Sequence, residues 1–163
     1  RYFQLFDLKN KNHMFANRGT SGIDGSTSTA IGSSVNGDSP VVLITGDLSF
    51  FYDINALWNK YIPVSFRIII INNGGGGIFK ILPGFKEDNL FSEFIETKHN
   101  LSARSIAKMF KLKYTRVSTK FGLNLVLRTF FKNSKKPKIL EIKTSGIKST
   151  KILKDYFRYL SKP

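Results

Sequence analysis

The 163-residue sequence contains no cysteine at all. Disulfide-stabilised scaffolds and metal sites built from thiolates are therefore excluded, and the composition fits a reducing cytoplasm, where we expect the protein to be located. No apolar run approaches the roughly 20 residues that a membrane-spanning helix needs, so no membrane span is expected. A secretory signal pattern is also absent, although the chain begins with Arg1 rather than methionine. The length suits one domain with a hydrophobic core.

Acidic residues are scarce, with 11 Asp and Glu against 26 Lys and Arg, which gives a net charge of +15. Strongly basic chains are candidates for nucleic-acid binding. The excess is uneven, because residues 1–79 carry a net charge of only +1 and the remaining residues carry +14. No zinc-finger, RNP or KH pattern accompanies it. We therefore interpret the excess as a solvated, lysine-rich surface and expect no nucleic-acid partner.

Two short apolar runs organise the chain. They are Val41–Thr45 and Phe66–Ile71, and both are rich in β-branched residues, as is typical of strands buried in a parallel sheet. The segment between them is predicted to be an amphipathic helix, with apolar residues at roughly helical spacing: Phe51, Ile54, Leu57, Trp58 and Tyr61. The predicted fold class is α/β, an open, doubly wound and mostly parallel sheet with helices on both faces, in a single domain over residues 1–163.

The remaining elements are predicted from the same periodicities. Further strands are expected at His13–Ala16, Tyr114–Val117 and Lys138–Lys143. Further helices are expected from about Asp24, over Asn89–Glu96, from Ser102 to about Phe110, from Ser118 or Thr119 to about Phe131, and over Thr150–Leu160. Arg1–Leu8 is interpreted as the end of a helix already under way.

Small and polar residues follow each of the two organising strands. The first strand leads into Gly46, Asp47, Leu48 and Ser49, and the second leads into a segment of two asparagines and four glycines, residues 72–77. The carboxyl ends of neighbouring parallel strands are where ligands bind in open α/β sheets. A carboxylate and an amide oxygen suit Mg²⁺, a helix start suits a phosphate, and glycines let backbone approach a ligand closely. A glycine run by itself is more typical of a flexible loop than of a binding site.

The Gly-Asp pair after the first strand and the Asn-Asn pair after the second together resemble the cofactor signature of thiamine-diphosphate enzymes. Leu48 stands where many of these enzymes have glycine. Three longer stretches, Asn17–Ala30, Gly46–Leu57 and Ile71–Phe79, resemble one family among them, the 2-succinyl-5-enolpyruvyl-6-hydroxy-3-cyclohexene-1-carboxylate synthases of menaquinone biosynthesis. The resemblance spans nearly the whole chain but covers only the C-terminal third of that family, its diphosphate-binding (PP-type) domain.

The resemblance implies an enzyme and its partners. It implies thiamine diphosphate and Mg²⁺ (or Mn²⁺) as cofactors, and a transferase that decarboxylates 2-oxoglutarate and adds the succinyl-semialdehyde unit to isochorismate. No catalytic residue is expected on this chain, because the family places its activating glutamate on a separate domain of a second subunit. The chain is therefore interpreted as a C-terminal fragment of a longer enzyme, a homodimer or homotetramer, and as inactive without its N-terminal domains.

The resemblance also assigns residues to the cofactors. Asp47, Asn73 and the backbone carbonyl of Gly75 match the metal ligands. The thiamine diphosphate is expected to contact a larger set that includes these three: Gly22, Ile23, Gly46, Asp47, Leu48, Ser49, Asn73, Gly75, Gly76, Gly77 and Ile78.

Five residues match the substrate-binding positions of the family. Arg1 and Arg18 match its carboxylate-binding arginines, and guanidinium groups suit polyanionic substrates because they bind carboxylates bidentately. Ile78, Phe79 and Leu82 match its apolar wall. The competing interpretations are a surface position for Arg1 and core positions for Ile78 and Leu82.

Two other functions stay open on the sequence alone. One is another thiamine-diphosphate enzyme, of the acetolactate synthase or 2-oxoacid decarboxylase type. The other is a non-catalytic basic binding module, which the intact Asp47 and Asn73 argue against. His13 and His99 match no catalytic pattern and are interpreted as structural or surface residues, and neither a Gly-x-Ser-x-Gly elbow nor a Walker-A motif is present.

Overall fold

The computed structural model describes residues 14–17, 22–37, 39–82, 84 and 88–161. The strands are β1 (Val42–Gly46), β2 (Arg67–Asn72), β3 (Lys113–Val117) and β4 (Lys138–Lys143). The α-helices are α1 (Ser26–Val35), α2 (Asp47–Tyr52), α3 (Arg104–Met109), α4 (Lys120–Phe130) and α5 (Gly146–Leu160), with a 3₁₀ helix at Ile54–Trp58 and a π-helical turn at Phe91–Ile95. Across these ranges, no helix is both long and apolar enough to cross a membrane.

The four strands form one parallel sheet in the order β1-β2-β4-β3. The register sets Gly46 beside Ile71, so the carboxyl ends of β1 and β2 lie next to each other. Glu141 of β4 pairs with Ile70 on one side and with Arg116 on the other, which makes β4 an interior strand. The predicted parallel α/β sheet is confirmed.

Helices cover both faces of the sheet. On one face Ile68, Ile70 and Ile139 pack with a cluster from α1, the 3₁₀ helix and α3, whose buried members include Ile31, Leu57, Ala103 and Ala107. On the other face Leu140 packs with Val117 and with Phe130 of α4. The doubly wound arrangement predicted from the sequence is therefore confirmed.

Strand β1 is an edge strand, and the prediction that it is buried on both faces is wrong. Val42 and Ile44 are 41% and 52% exposed, whereas Thr45, which points to the opposite face of the same strand, is buried. On the second face, the cluster packed under α4 covers β3 and β4 and reaches Ile69 of β2, and among the described residues it includes none from β1. An apolar strip on β1 and β2 is left open to solvent.

The single amphipathic helix predicted across Phe51–Tyr61 is also wrong. Helix α2 ends at Tyr52, and Asp53 has φ −119° and ψ 29°, outside the helical region, before the 3₁₀ helix begins. The buried Asp53 carboxylate accepts hydrogen bonds from the Ser28 backbone amide (2.7 Å) and hydroxyl (2.6 Å) on α1. A long-range contact therefore fixes this break, and Trp58 is 80% exposed rather than part of a helical core face.

The other elements agree with the sequence within a few residues, with three exceptions. Residues 14–16 are not a strand, and helix α5 begins at Gly146 rather than Thr150, with the Ser145 hydroxyl accepting from the Lys148 amide. The segment predicted as a helix at Asn89–Glu96 is largely π-helical. The predicted helix end at Arg1–Leu8 and His13 lie outside the described residues.

Two cations are buried where α4 ends, against the interpretation of the basic charge as wholly solvated. Arg67 and Lys138, neighbours on β2 and β4, donate to the last carbonyl groups of α4 and the turn after it, including those of Phe130 and Lys132. Burial lowers the pKa of both side chains, and the charge of Arg67 lowers the pKa of Lys138 further. These cations satisfy carbonyl groups that every helix C-terminus leaves without an amide partner.

Candidate functional site

The candidate site lies at the carboxyl ends of β1 and β2. Gly46 closes β1 in an extended conformation, and Asp47 then begins the short helix α2. The Asp47 side chain is only 4% exposed. Because Gly46 is level with Ile71, this carboxylate lies beside the segment that follows β2.

The Asp47 carboxylate joins β1 to the glycine segment. Its Oδ2 accepts hydrogen bonds from the backbone amides of Gly74 (2.7 Å) and Gly75 (3.2 Å). Its Oδ1 accepts from the Leu48 amide at 2.9 Å. The two oxygens are therefore unequal, and Oδ1 keeps the larger unused acceptor capacity.

The glycine segment is held by protein backbone, which decides against the flexible-loop interpretation. Gly74 and Gly75 have φ angles of +81° and +150°. A Cβ atom on Gly75 would lie 2.8 Å from the Glu96 carbonyl oxygen. The Gly76 amide donates to that same carbonyl at 2.6 Å, and the His99 amide donates to the Gly74 carbonyl at 3.1 Å. Glycine is required here because a second stretch of backbone approaches too closely for a side chain.

Asn73 projects from the end of β2 into a tight space. A Cβ atom on Gly77 would lie 3.0 Å from Asn73 Nδ2, and one on Gly146 would lie 3.0 Å from the Asn73 carbonyl oxygen. Considering only the described parts of the chain, its side-chain amide makes no hydrogen bond, whereas the neighbouring Asn72 amide makes several. The Asn73 side chain is therefore available to a ligand.

The donor atoms fit a hard divalent cation. Counting partners among the described residues alone, Asp47 Oδ1 accepts one hydrogen bond, the Asn73 amide makes none, and the Gly75 carbonyl accepts one, from the Gly77 amide at 3.0 Å. Mg²⁺ uses oxygen ligands of these types and completes its octahedron with water or phosphate oxygens. Within the described residues no group of three His, Cys, Asp or Glu could hold a metal ion. This finding does not argue against the cation site described here, because only one of its three ligands, a carboxylate, is a side chain of these four types.

Several atoms expected around a diphosphate already have protein partners. The Ser49 hydroxyl donates to the Ile23 carbonyl at 2.8 Å and lies 3.2 Å from the Ser26 hydroxyl. This contact brings the segment of Gly22 and Ile23 against α2, next to Asp47. The amides of Leu48, Gly76 and Gly77 are likewise used within the protein. Their assignment to the diphosphate stays a prediction.

The structure describes three of the five residues expected to bind substrate. Arg1 and Arg18 lie outside the described residues. Ile78 and Leu82 follow the glycine segment and are 43% and 46% exposed, which does not favour core positions for them. Phe79 is half-buried, with its ring near Gly76. The apolar wall stays a prediction.

Comparison with known proteins places the chain in a family. The family model "Thiamine pyrophosphate enzyme, C-terminal TPP binding domain" matches residues 2–142. The chain belongs to this family. It is 50% identical over 160 residues to the 2-succinyl-5-enolpyruvyl-6-hydroxy-3-cyclohexene-1-carboxylate synthase of Christiangramia forsetii, covering 98% of this chain and 28% of that protein. The synthase of Flavobacterium johnsoniae is also 50% identical, over 99% of this chain and 29% of its own length.

The chain thus spans less than a third of the length of the curated relatives it matches. Among solved structures, the thiamine diphosphate-dependent 4-hydroxybenzoylformate decarboxylase of Rhodococcus jostii RHA1 is similar, with a TM-score of 0.53 and 24% identity. That similarity covers 71% of this chain and 22% of the decarboxylase. It supports the fold of a TPP-binding domain and nothing finer.

Sequence reasoning missed His99 as a neighbour of the site in this TPP-binding domain. Its side chain is 11% exposed, and Nε2 lies 3.2 Å from Asp47 Oδ2. The ring packs edge-on against Phe51, with 5.5 Å between ring centroids. A surface position is therefore wrong, and the structural interpretation was incomplete. No signal in the sequence links the two residues, because they lie far apart along the chain.

A buried carboxylate beneath the site was also missed. Glu141 is fully buried; its Oε1 accepts from Asn72 Nδ2 at 2.7 Å. Its Oε2 accepts from the Tyr114 hydroxyl (2.7 Å), the Ala103 amide (2.9 Å) and the Ser102 hydroxyl (3.0 Å). Burial by itself would raise the pKa of this carboxyl, but the hydrogen bonds outweigh it and hold the pKa below its ordinary value. Glu141 is therefore ionised at neutral pH.

Asn72 connects Glu141 to the glycine segment by hydrogen bonds. With one side-chain N–H on Glu141 and a second bond from Nδ2 to the Leu101 carbonyl (2.9 Å), its amide cannot turn over. Asn72 Oδ1 accordingly faces the Gly74 amide and Lys143 Nζ, each at 3.2 Å. Glu141 therefore helps to fix Gly74, the first residue of the glycine segment, through one intermediate side chain.

An ion pair holds the segment that covers the glycines. Lys80 Nζ lies 2.6 Å from Glu96 Oε1, and both side chains are less than a tenth exposed. Lys98 Nζ lies 3.7 Å from Glu96 Oε2, at the surface. Since the Glu96 carbonyl accepts from the Gly76 amide, this pair fixes the covering backbone to the residues that follow the glycines.

Proposed function

We propose that the chain is the cofactor-binding, C-terminal domain of a thiamine-diphosphate- and Mg²⁺-dependent synthase of menaquinone biosynthesis, with residues 1–163 forming that single domain. The observation that carries the proposal is that the Asp47 carboxylate and the glycine segment meet at one sheet edge in a chain 50% identical to proteins named as these synthases. An acetolactate synthase or decarboxylase is less well supported, since the similarity to a decarboxylase concerns the fold alone. Family membership argues against a non-catalytic basic module.

The cofactor would be held by donors already positioned by the fold. Asp47 Oδ1, the Asn73 amide oxygen and the Gly75 carbonyl would hold Mg²⁺ or Mn²⁺. Ser49, Leu48 and the later glycines would surround the diphosphate, with Ile23 beside the thiamine. Thiamine diphosphate supplies the chemistry that 2-oxoacid decarboxylation and carbon–carbon bond formation require. The residues of this chain bind and orient it, and none of them is assigned a proton transfer.

The substrates proposed are 2-oxoglutarate and isochorismate. Both carry carboxylates, which Arg18 and Arg1 would bind through paired N–H groups. Ile78, Phe79 and Leu82 would form the apolar side of the substrate site, and the exposure of Ile78 and Leu82 supports this role. The decarboxylated succinyl unit would be transferred to isochorismate, in a cytoplasmic enzyme.

The remaining domains and a second subunit would complete the active site. The relatives are more than three times as long as this chain, and we propose that the activating glutamate comes from their additional part. The open strip of Val42, Ile44 and Ile71 at the edge of the sheet supports a protein surface docking there, since these apolar residues are 38–52% exposed. A homodimer or homotetramer is the proposed assembly.

The first test concerns the metal ligand. In the complete protein, calorimetry should detect thiamine diphosphate binding only when Mg²⁺ or Mn²⁺ is present, and Asp47→Ala should abolish it because the cation loses its only carboxylate. Asp155→Ala is the matched control, because Asp155 lies on α5 in an exposed pair with Arg158. Unchanged cofactor affinity in Asp47→Ala would contradict the assignment.

The second test separates this synthase from its thiamine-diphosphate relatives. Arg18→Ala should leave cofactor binding intact but lower kcat/KM for 2-oxoglutarate or isochorismate. Losing a buried charged partner costs about 2–5 kcal/mol, or roughly 30- to 4,000-fold. Arg18→Lys should restore only part of the loss, and Arg104→Ala, at an exposed position on α3, serves as the control. Equal kinetics in Arg18→Ala and the parent would remove Arg18 from the substrate site.

A further inference from the structure

Three contacts fix the position of His99 beside the candidate cation site. Its backbone amide donates to the Gly74 carbonyl at 3.1 Å. Its Nδ1 accepts from the Leu101 amide at 3.1 Å, so the proton of the neutral ring lies on Nε2. Its ring edge packs perpendicular to Phe51. These contacts aim Nε2 at Asp47.

The Nε2 group itself is left without a good partner. It is buried, and among the described residues it makes no aligned hydrogen bond, although Asp47 Oδ2 lies 3.2 Å away. A buried N–H group without an acceptor is unfavourable. Asp47 Oδ2 is the acceptor within reach. Hydrogen bonds of this kind are often poorly aligned before a site is loaded and tighten when the ligand binds.

The two oxygens of Asp47 also differ in the number of protein donors that they face. Within the described part of the chain, Oδ2 faces the Gly74 amide, the Gly75 amide and His99, whereas Oδ1 faces only the Leu48 amide. Resting on the function proposed above, we infer that His99 is a positioning residue for the cation. Its Nε2–H completes the set of donors on Oδ2, so that Asp47 presents Oδ1 alone to Mg²⁺. Groups that orient a metal ligand in this way set the affinity of a site without touching the ion.

Other contacts make His99 a rigid support. The Glu96–Lys80 ion pair and the bond from the Gly76 amide to the Glu96 carbonyl fix the chain just before His99. The Leu101 amide and the ring of Phe51 restrict both rotations of the imidazole. A side chain held this way can impose an orientation on its neighbour, as a mobile one could not.

Two substitutions separate the roles of the two ring nitrogens. His99→Gln can place an amide N–H near the position of Nε2 but loses the acceptor at Nδ1. His99→Asn can keep an acceptor near Nδ1 but reaches too short a distance to donate to Asp47. In the complete protein, the dissociation constant for Mg²⁺ is measured by calorimetry at saturating thiamine diphosphate. We expect His99→Asn to weaken Mg²⁺ binding by about 10- to 100-fold, and His99→Gln to stay within a few-fold of the parent.

One control and three possible contradicting outcomes make the experiment decisive. The thermal unfolding midpoints of both cation-free variants are measured to confirm that they fold. Parent-like Mg²⁺ affinity in His99→Asn would overturn the inference, and so would an equal loss in both variants, which would indicate ring packing alone. Cofactor binding by the parent without any cation would instead overturn the proposed function, and the positioning role with it.

A measurement on the parent protein covers the case in which His99→Asn does not fold. In ¹⁵N-histidine-labelled protein, the Nε2–H signal of His99 is assigned by its loss in His99→Gln. Addition of Mg²⁺ and thiamine diphosphate should shift this signal downfield and slow its exchange with water, because the bond to Asp47 tightens. A signal that neither shifts nor slows would overturn the inference.

Discussion

Glu141 supports the candidate site from below, and its replacement by glutamine tests that support with almost no change in size. Three donors converge on Oε2, from Tyr114, Ser102 and the Ala103 amide, and Asn72 donates to Oε1. A glutamine side chain must place its NH₂ group at one of these two positions. In either orientation an N–H group faces another N–H group in a buried space.

The magnitude follows from which donors can adapt. The Tyr114 and Ser102 hydroxyls can rotate, but the Ala103 amide and the Asn72 side chain are fixed by the backbone and by the Leu101 carbonyl. A hydrogen bond to a charged group contributes about 1.5–3 kcal/mol, and a buried donor left without a partner costs about 1–3 kcal/mol. We expect Glu141→Gln to lower the free energy of unfolding by about 3–5 kcal/mol. At about 2–4 °C per kcal/mol, the unfolding midpoint falls by roughly 6–20 °C.

The effect must depend on pH in one direction. Although burial would raise it, the hydrogen bonds to the carboxylate hold the pKa of folded Glu141 below its ordinary value. A carboxyl whose pKa is lowered by folding stabilises the protein above its unfolded-state pKa and loses this contribution as the pH falls through the folded-state pKa. The difference between parent and variant should therefore be complete at pH 7 and shrink below about pH 4.5.

The assay is thermal unfolding of the full chain followed by circular dichroism at a series of pH values. Glu93→Gln is the control, because Glu93 lies exposed on the π-helical turn and should leave the midpoint unchanged. An unaltered midpoint in Glu141→Gln at pH 7 would refute the reasoning. A deficit that persists undiminished into strong acid would show that the carboxylate charge is not its source.

Two further substitutions test the packing of the site and of the sheet. Gly75→Ala should abolish thiamine diphosphate binding in calorimetry, since its Cβ would meet the Glu96 carbonyl oxygen at 2.8 Å, while Gly32→Ala on α1, with nothing within 4 Å, should bind normally. Lys138→Met should lower the free energy of unfolding, measured by urea denaturation, by about 2–4 kcal/mol, because three carbonyl groups at and just after the end of α4 each lose one charged donor. Lys132→Met, at an exposed position, should not.

The strands and the meeting of their ends could be predicted from the sequence because both are local properties. β-branched runs fix where β1 and β2 lie, and parallel pairing then brings the residues after these two strands to one edge. The proximity of Asp47 to the glycine segment follows from this rule without knowledge of any side-chain contact. Only the hydrogen bonds between them required the structure.

The break after Tyr52 could not be predicted, because its cause lies on another helix. Periodicity continues through Asp53 to Tyr61, so a local reading extends the helix. Asp53 is instead buried under Ser28, which supplies two donors to its carboxylate. A polar side chain inside an apolar period can mark such a break, but it does not name its partner.

Burial of charge in the strands escaped prediction for the same reason. Lys138 and Glu141 interrupt the apolar residues of β4 at positions on opposite faces of the strand, and charged residues in a strand normally indicate a solvated position. Both are buried, since α4 ends over Lys138 and the turn before α3 covers Glu141. Each charge is enclosed by carbonyls or donors that come from distant parts of the chain.

These cases share a physical cause that also bears on how the site works. The residues proposed to touch the cation, Asp47 and Asn73, lie in short local motifs, whereas those that orient them, His99 and Glu141, arrive from later segments by tertiary packing. A motif fixes which ligand type can bind, and the packed segments fix how rigidly the ligands are held. Changes in His99 or Glu141 should therefore alter affinity or stability while leaving the choice of cofactor intact, whereas loss of the Asp47 carboxylate should remove cofactor binding altogether.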